Sequence, residues 1–83
     1  MIKQQLRIFG GNIRRLREHH GLSQEELASL SASHRNYIGG VERGERNPTV
    51  TKALAIAKAL ECDVCELFVG TIDAAHSAER GHR

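Results

Sequence analysis

Tryptophan is absent, and proline and tyrosine occur once each and phenylalanine twice in 83 residues. A chain this poor in turn formers and aromatics, but well supplied with Leu, Ile, Val and Ala, does not suit a sandwich of many short strands. It suits an all-α domain. No apolar run approaches the roughly 20 residues needed to cross a bilayer. The opening Met-Ile-Lys-Gln-Gln-Leu-Arg has no apolar signal core. A membrane is therefore not an expected partner, and the cytoplasm, nucleoid included, is the expected compartment. Two cysteines, Cys62 and Cys65, agree with a reducing environment. Strong charge of one sign is also missing: the formal net charge is +2, which alone does not imply a polyanion.

The distribution of charge says more than its sum. The first 17 residues carry Lys3, Arg7, Arg14, Arg15 and Arg17 and no acid. From Arg35 to Lys58 there are five bases against Glu42 and Glu45. Acids gather at Glu25 and Glu26 and towards the C-terminus. One basic side and one acidic side fit contact with a polyanion.

The length allows a single small domain, expected over residues 1–70, with a polar tail over 71–83 expected to be flexible. Leu6, Phe9, Ile13 and Leu16 predict an amphipathic first helix from about Leu6 to His20, stopped by Gly21. Gly10 and Gly11 weaken its first turn. Ser23-Gln24-Glu25-Glu26 is a capping box. It opens a short second helix to about Ser31 that should bury Leu27, Ala28 and Leu30. A tight turn at Ala32-Ser33 leads to a third helix from about His34 to Arg43, ended by Gly44. Thr49 caps a fourth helix to about Glu61, with Val50, Ala53, Leu54, Ala57 and Leu60 on one face. Asp63-Val64-Cys65-Glu66 resembles another capping box and starts a short fifth helix through Phe68. Two short helices joined by a tight turn within a five-helix bundle make a helix-turn-helix.

The motifs Gly21-Leu-Ser-Gln-Glu-Glu-Leu-Ala28, Tyr37-Ile38, Val41-Glu-Arg-Gly44, Arg46-Asn-Pro48 and Ala55-Ile-Ala-Lys-Ala-Leu60 resemble the Cro/phage-repressor type of helix-turn-helix regulator. His34-Arg-Asn-Tyr-Ile and Val-Glu-Arg-Gly-x-Arg-Asn look most like controller proteins of restriction–modification systems. The resemblance, over about residues 7 to 69, implies a lambda-repressor-like domain binding a near-palindromic double-stranded DNA operator as a homodimer. Occupancy of that operator would block or recruit RNA polymerase. It also implies that Gln24 sits at the phosphate-facing start of the second helix. His34, Arg35, Asn36, Gly39, Gly40 and Arg43 would face the major groove. Glu42 would pair with Arg17, clamping the reading helix to the first. Two departures stand out. Ala32 occupies a turn position often held by Gly, and Gly39 and Gly40 replace larger side chains that commonly touch DNA.

Chemistry assigns roles within this set. Arg35 suits a bidentate contact to guanine, and Asn36 suits adenine or phosphate. Tyr37 suits either a phosphate or packing against the fourth helix. Arg14, Arg43, Arg46 and Asn47 complete the expected DNA-binding residues. The paired glycines either let the backbone approach the groove or are poor helix formers held by packing.

Cys62-Asp-Val-Cys65 is a lone C-x-x-C. A structural zinc site needs four ligands, and His76 and His82 stand in the tail at the wrong spacing. Cys62 is expected to fill an apolar position. No arrangement for nucleophilic catalysis or phosphate cradling occurs, so neither enzymatic activity, metal nor cofactor is expected. Val64 and Phe68, four residues apart, form the expected dimer patch, with Ile56 flanking it. The alternative function is an antitoxin that neutralises a protein toxin and autoregulates its operon. Residues 71–83 would be the spare segment for that role, but they lack apolar anchors.

Overall fold

The chain is described by a computed structural model covering residues 2–72. It comprises α1 (Ile2–His19), α2 (Gln24–Leu30), α3 (Arg35–Glu42), α4 (Val50–Ala59) and a 3-10 helix over Val64–Phe68. Where α2 and α4 begin, a side chain satisfies one of the first amides; α3 starts at His34 without a side-chain cap. Among the described residues there is no strand. The Ser23 hydroxyl accepts from the Glu26 amide at 3.0 Å, and the Ser23 amide donates to the Glu26 carboxylate at 2.8 Å. The bond from the Ser23 amide first, and then the Ser23 hydroxyl beside the carboxylate, hold the Glu26 carboxyl below its usual range. The contribution of this cap is present at neutral pH and is lost as pH falls through that lowered value. Thr49 caps α4 by accepting from the Lys52 amide, and Asp63 and Glu66 form the second capping box.

α1 is longer than the pattern predicts, running back to Ile2 straight through Gly10 and Gly11. Gly10 is there because α1 crosses the end of α3 backbone to backbone. A Cβ at Gly10 would collide with the Val41 carbonyl oxygen and lie 2.7 Å from that of Glu42. At the same crossing Gly44, with φ +76°, packs on Arg7, whose Cα lies 2.9 Å from where a Cβ would be.

The core is built from Phe9 and Ile13 of α1, Leu27 and Ala28 of α2, Ile38 and Val41 of α3, Ala53, Ile56 and Ala57 of α4, with Leu60 and Leu67. Three expectations are corrected. Leu30 is exposed, because Ser31, four residues after Leu27, takes the inward position and satisfies its hydroxyl on the Leu27 carbonyl at 2.8 Å. Val50 and Leu54 are exposed, because the inward face of α4 runs through Ala53, Ile56, Ala57 and Leu60. Ile56 is accordingly fully buried, so it cannot flank an interface as the sequence reading expected. The fifth element is a 3-10 helix that ends at Phe68, with Val69 as its C-cap. It is tied to α1 by the Asn12 amide, which donates to the Leu67 and Val69 carbonyls at 2.9 and 2.8 Å. The tail residues 73–83, with His76 and His82, lie outside the described residues.

Candidate nucleic-acid interface

α3 is held in place by a charged group that three elements share. Glu42, at the end of α3, accepts from Arg17 of α1 through both carboxylate oxygens, at 2.6 and 3.1 Å. Side-chain exposure is 11% for Arg17 and 3% for Glu42. At this burial the pair is shielded from the screening that makes surface pairs nearly worthless. The third Arg17 nitrogen, Nη1, donates to the Leu22 carbonyl at 2.8 Å, and the Gln24 amide donates to Glu42 at 3.0 Å. The hydrogen bond to Glu42, opposed by desolvation, raises the Arg17 pKa further above its ordinary value. Gln24 thus belongs to the clamp as well as to the exposed start of α2.

The turn between α2 and α3 is strained in the expected way. Ala32 adopts φ +53°, in the left-handed region that costs a residue with a Cβ roughly 1 kcal/mol. Lys52 of α4 donates to the Ala32 carbonyl at 3.0 Å, pinning the turn. Ala32→Gly is expected to raise stability by about 0.5–1 kcal/mol, part of the relief being offset by glycine's greater freedom in the unfolded chain. A thermal melt that falls instead would show the strain to be absorbed elsewhere.

Gln24, Arg35, Asn36, Gly39, Gly40, Arg43 and Arg46 line one polar niche on the outer side of α3. Glu45 joins them and pairs with Arg43 at 3.1 Å. Arg35 also borders the neighbouring cleft beside Arg17, Ser23 and Gln24. His34 and Tyr37 face a separate shallow surface with Ser33 and Lys52. The Tyr37 ring is half-buried against the core, with the Lys52 ammonium 5.8 Å from its centroid. Burial pushes the phenol pKa up. Arg14 and Asn47 do not join the niche: Arg14 pairs with Glu18 on the exposed face of α1, and Asn47 borders an apolar groove. Sequence reasoning missed Lys52 and Glu45. Lys52 comes to the turn from α4 across 20 residues, so no local spacing announces it.

That apolar groove is lined by Ile2, Leu6, Phe9, Pro48, Val50 and Phe68 among others. Phe68 remains 47% exposed although its ring stands 4.8 Å from that of Phe9. Val64 is half-buried against the core. Cys62 is half-buried and Cys65 exposed, and both thiols are free. Burial first, then Glu66 and Asp63, push the Cys62 thiol up, away from reactive thiolate. Among the described residues no group of three or more His, Cys, Asp or Glu could hold a metal ion.

Known proteins share this fold. The HTH_3 family, described as helix-turn-helix, matches residues 13–67. Control protein C.SmaI of Serratia marcescens is 48% identical over 61 residues, 74% of this chain and 73% of the relative. The crystal structure of the restriction–modification controller C.AhdI of Aeromonas hydrophila superposes with a TM-score of 0.75 at 51% identity, over 76% of this chain and 96% of that one. The controller C.Esp1396I, solved as a tetramer in complex with its natural 35 base-pair operator, superposes with a TM-score of 0.72 at 35% identity, over 83% of this chain and 91% of that one.

Proposed function

This chain belongs to the HTH_3 helix-turn-helix family, and from that premise we propose that it is a restriction–modification controller, a DNA-binding transcriptional regulator acting on a near-palindromic operator. It works by occupancy rather than by catalysis, in the cytoplasm, blocking or recruiting RNA polymerase. The observation that carries the reading is the gathering of Arg35, Arg43 and Arg46 with Gln24 and Asn36 over α3, on a helix held by a buried ion pair. Arginines and polar side chains at the rim position the protein on phosphates, and the side chains of α3 read base edges. Arg14, His34, Tyr37 and Asn47 serve as outlying phosphate contacts in this scheme. The named relatives favour it over toxin neutralisation.

Arg35→Ala is expected to lower the ratio of operator to random-DNA affinity by about 1–3 kcal/mol, the worth of one bidentate guanine contact. Titrations of both DNAs test this, and an unchanged ratio would sink the assignment. Across the same titrations log affinity should fall linearly with log salt, with a slope of about −0.9 for each phosphate neutralised.

Homodimerisation completes the scheme, because a near-palindromic site is read by two α3 helices about one DNA turn, roughly 34 Å, apart. Phe68 supports a two-fold patch on the groove it shares with Ile2 and Val50, which are themselves 61% and 76% exposed. Val64, half-buried against the core, does not line that groove and adds less to the patch than Phe68. Val50→Asp and Phe68→Ser should each convert the protein to a monomer in sedimentation at low micromolar concentration, with helical content kept. Val50→Asp is the cleaner of the two, since Phe68 also touches Phe9. Folded variants that stay dimeric would place the interface elsewhere.

A further inference from the structure

The middle of α3 is where a DNA-reading helix would present side chains, and it presents none. Gly39 and Gly40 are nevertheless buried, so other residues cover them. At Gly39 the nearest side-chain atoms to an added Cβ are the tips of Arg43 and Gln24, Nη1 at 3.1 Å and Oε1 at 3.6 Å. At Gly40 they are the stem of Arg46: Cγ at 2.9 Å, Nε at 3.3 Å and Cδ at 3.6 Å. The two positions differ in kind. A flexible tip gives way to a methyl group, whereas a Cγ yields only if the whole side chain turns. Arg43 is engaged by Glu45, but among the described residues no carboxylate pairs with Arg46.

We propose that Gly40 is a specificity-determining position that acts through Arg46: the missing side chain opens a hollow in α3 along which the Arg46 stem lies, delivering a guanidinium from the following loop to the middle of the reading face. The inference rests on α3 being the DNA-reading helix. It accounts for a residue that is a poor helix former in mid-helix, because any Cβ there would push the stem aside. It also assigns the central contact to a planar fork suited to guanine or phosphate. The fork comes from outside the helix, where residue-by-residue reading of α3 would not find it.

The test is a double-mutant cycle on the full chain with Gly40→Ala, Arg46→Ala and the pair, read as the operator-to-random affinity ratio at fixed salt and as thermal melts. Gly11→Ala controls for helix propensity alone, since a Cβ at Gly11 meets nothing within 4 Å. Gly40→Ala is expected to fold and to lower the ratio about tenfold, as loss of one bidentate contact would. Arg46→Ala is expected to do the same, and the pair to be no worse than Arg46→Ala. An unchanged ratio in Gly40→Ala, or losses that multiply in the pair, overturns the proposal. Should Gly40→Ala melt below the wild type, adding Arg46→Ala must restore the melt, because the clash is with that stem; failure to restore it overturns the proposal too. If Arg35→Ala loses discrimination while Gly40→Ala keeps it, the DNA-reading assignment stands and this inference falls. A wild type that prefers no operator removes both.

Discussion

Adding one methyl group at Gly10 is expected to cost about 3 kcal/mol or more, the upper end for overpacking, because what stands in the way is backbone rather than side chain. The new Cβ would meet the Val41 and Glu42 carbonyl oxygens, and neither can move without unwinding the end of α3 or pushing α1 off it. A domain of this size has a total stability of about 4–12 kcal/mol. Gly10→Ala should therefore lower the melting temperature by roughly 15 °C and remove a large share of the stability. Gly11→Ala, one residue along and facing open space, should raise it slightly through helix propensity. The contrast is read directly from paired thermal melts. If both variants melt within a few degrees of the wild type, the crossing is looser than the geometry describes.

Glu42→Ala is expected to cost as much, by a different route. It leaves the Arg17 guanidinium buried without its carboxylate and strips the Gln24 amide of its acceptor. Breaking one side of a buried pair costs about 3–5 kcal/mol, chiefly as the desolvation of the charge left behind. Replacing both partners together, as in Arg17→Met with Glu42→Leu, should recover a good part of that loss, since no charge is then stranded. A cycle of chemical denaturation on the three variants separates the cases. Losses that simply add would mean that solvent already reaches the pair. The single variant should also weaken operator binding beyond its effect on stability, because α3 loses the contact that fixes its angle to α1 and α2.

What the sequence shows and what it hides follow from how far each feature reaches along the chain. Ser23 with Glu26, Asp63 with Glu66, and Thr49 before α4 are legible because a cap is made by residues three apart. The left-handed Ala32 is legible through the resemblance, since related sequences often place Gly at that turn position. Arg17 with Glu42 is legible only through family resemblance, since 25 residues separate them. The inward face of α4 is legible at Ala53, Ala57 and Leu60, but its edge is not: Val50 and Leu54 look as apolar as Ile56, and only the packing of α4 against the rest of the core decides among them. Leu30 was misread for a similar reason, a serine being the better inward residue once its hydroxyl has a carbonyl to bond. The niche itself was foreseen through resemblance for Gln24, Arg35, Asn36, Gly39, Gly40 and Arg43. Arg14, His34, Tyr37 and Asn47 do not share it, and Glu45 enters it unannounced. Gly10 and Gly11 are identical letters with opposite environments, and nothing local distinguishes them.

The bonds from Asn12 to the carbonyls of Leu67 and Val69 span 55 and 57 residues, whereas α2 and α3 are neighbours joined by a four-residue turn. Closing a loop that long costs more chain entropy than closing the turn, and the cost must be met before the contact returns anything. The hairpin of α2 and α3 can therefore collapse on local contacts alone, while α1 finishes burying Phe9 only when the 3-10 helix docks. On a ribosome that order becomes a matter of time: α1 is synthesised first, yet it must wait for nearly the last of the described residues before its apolar side is fully covered.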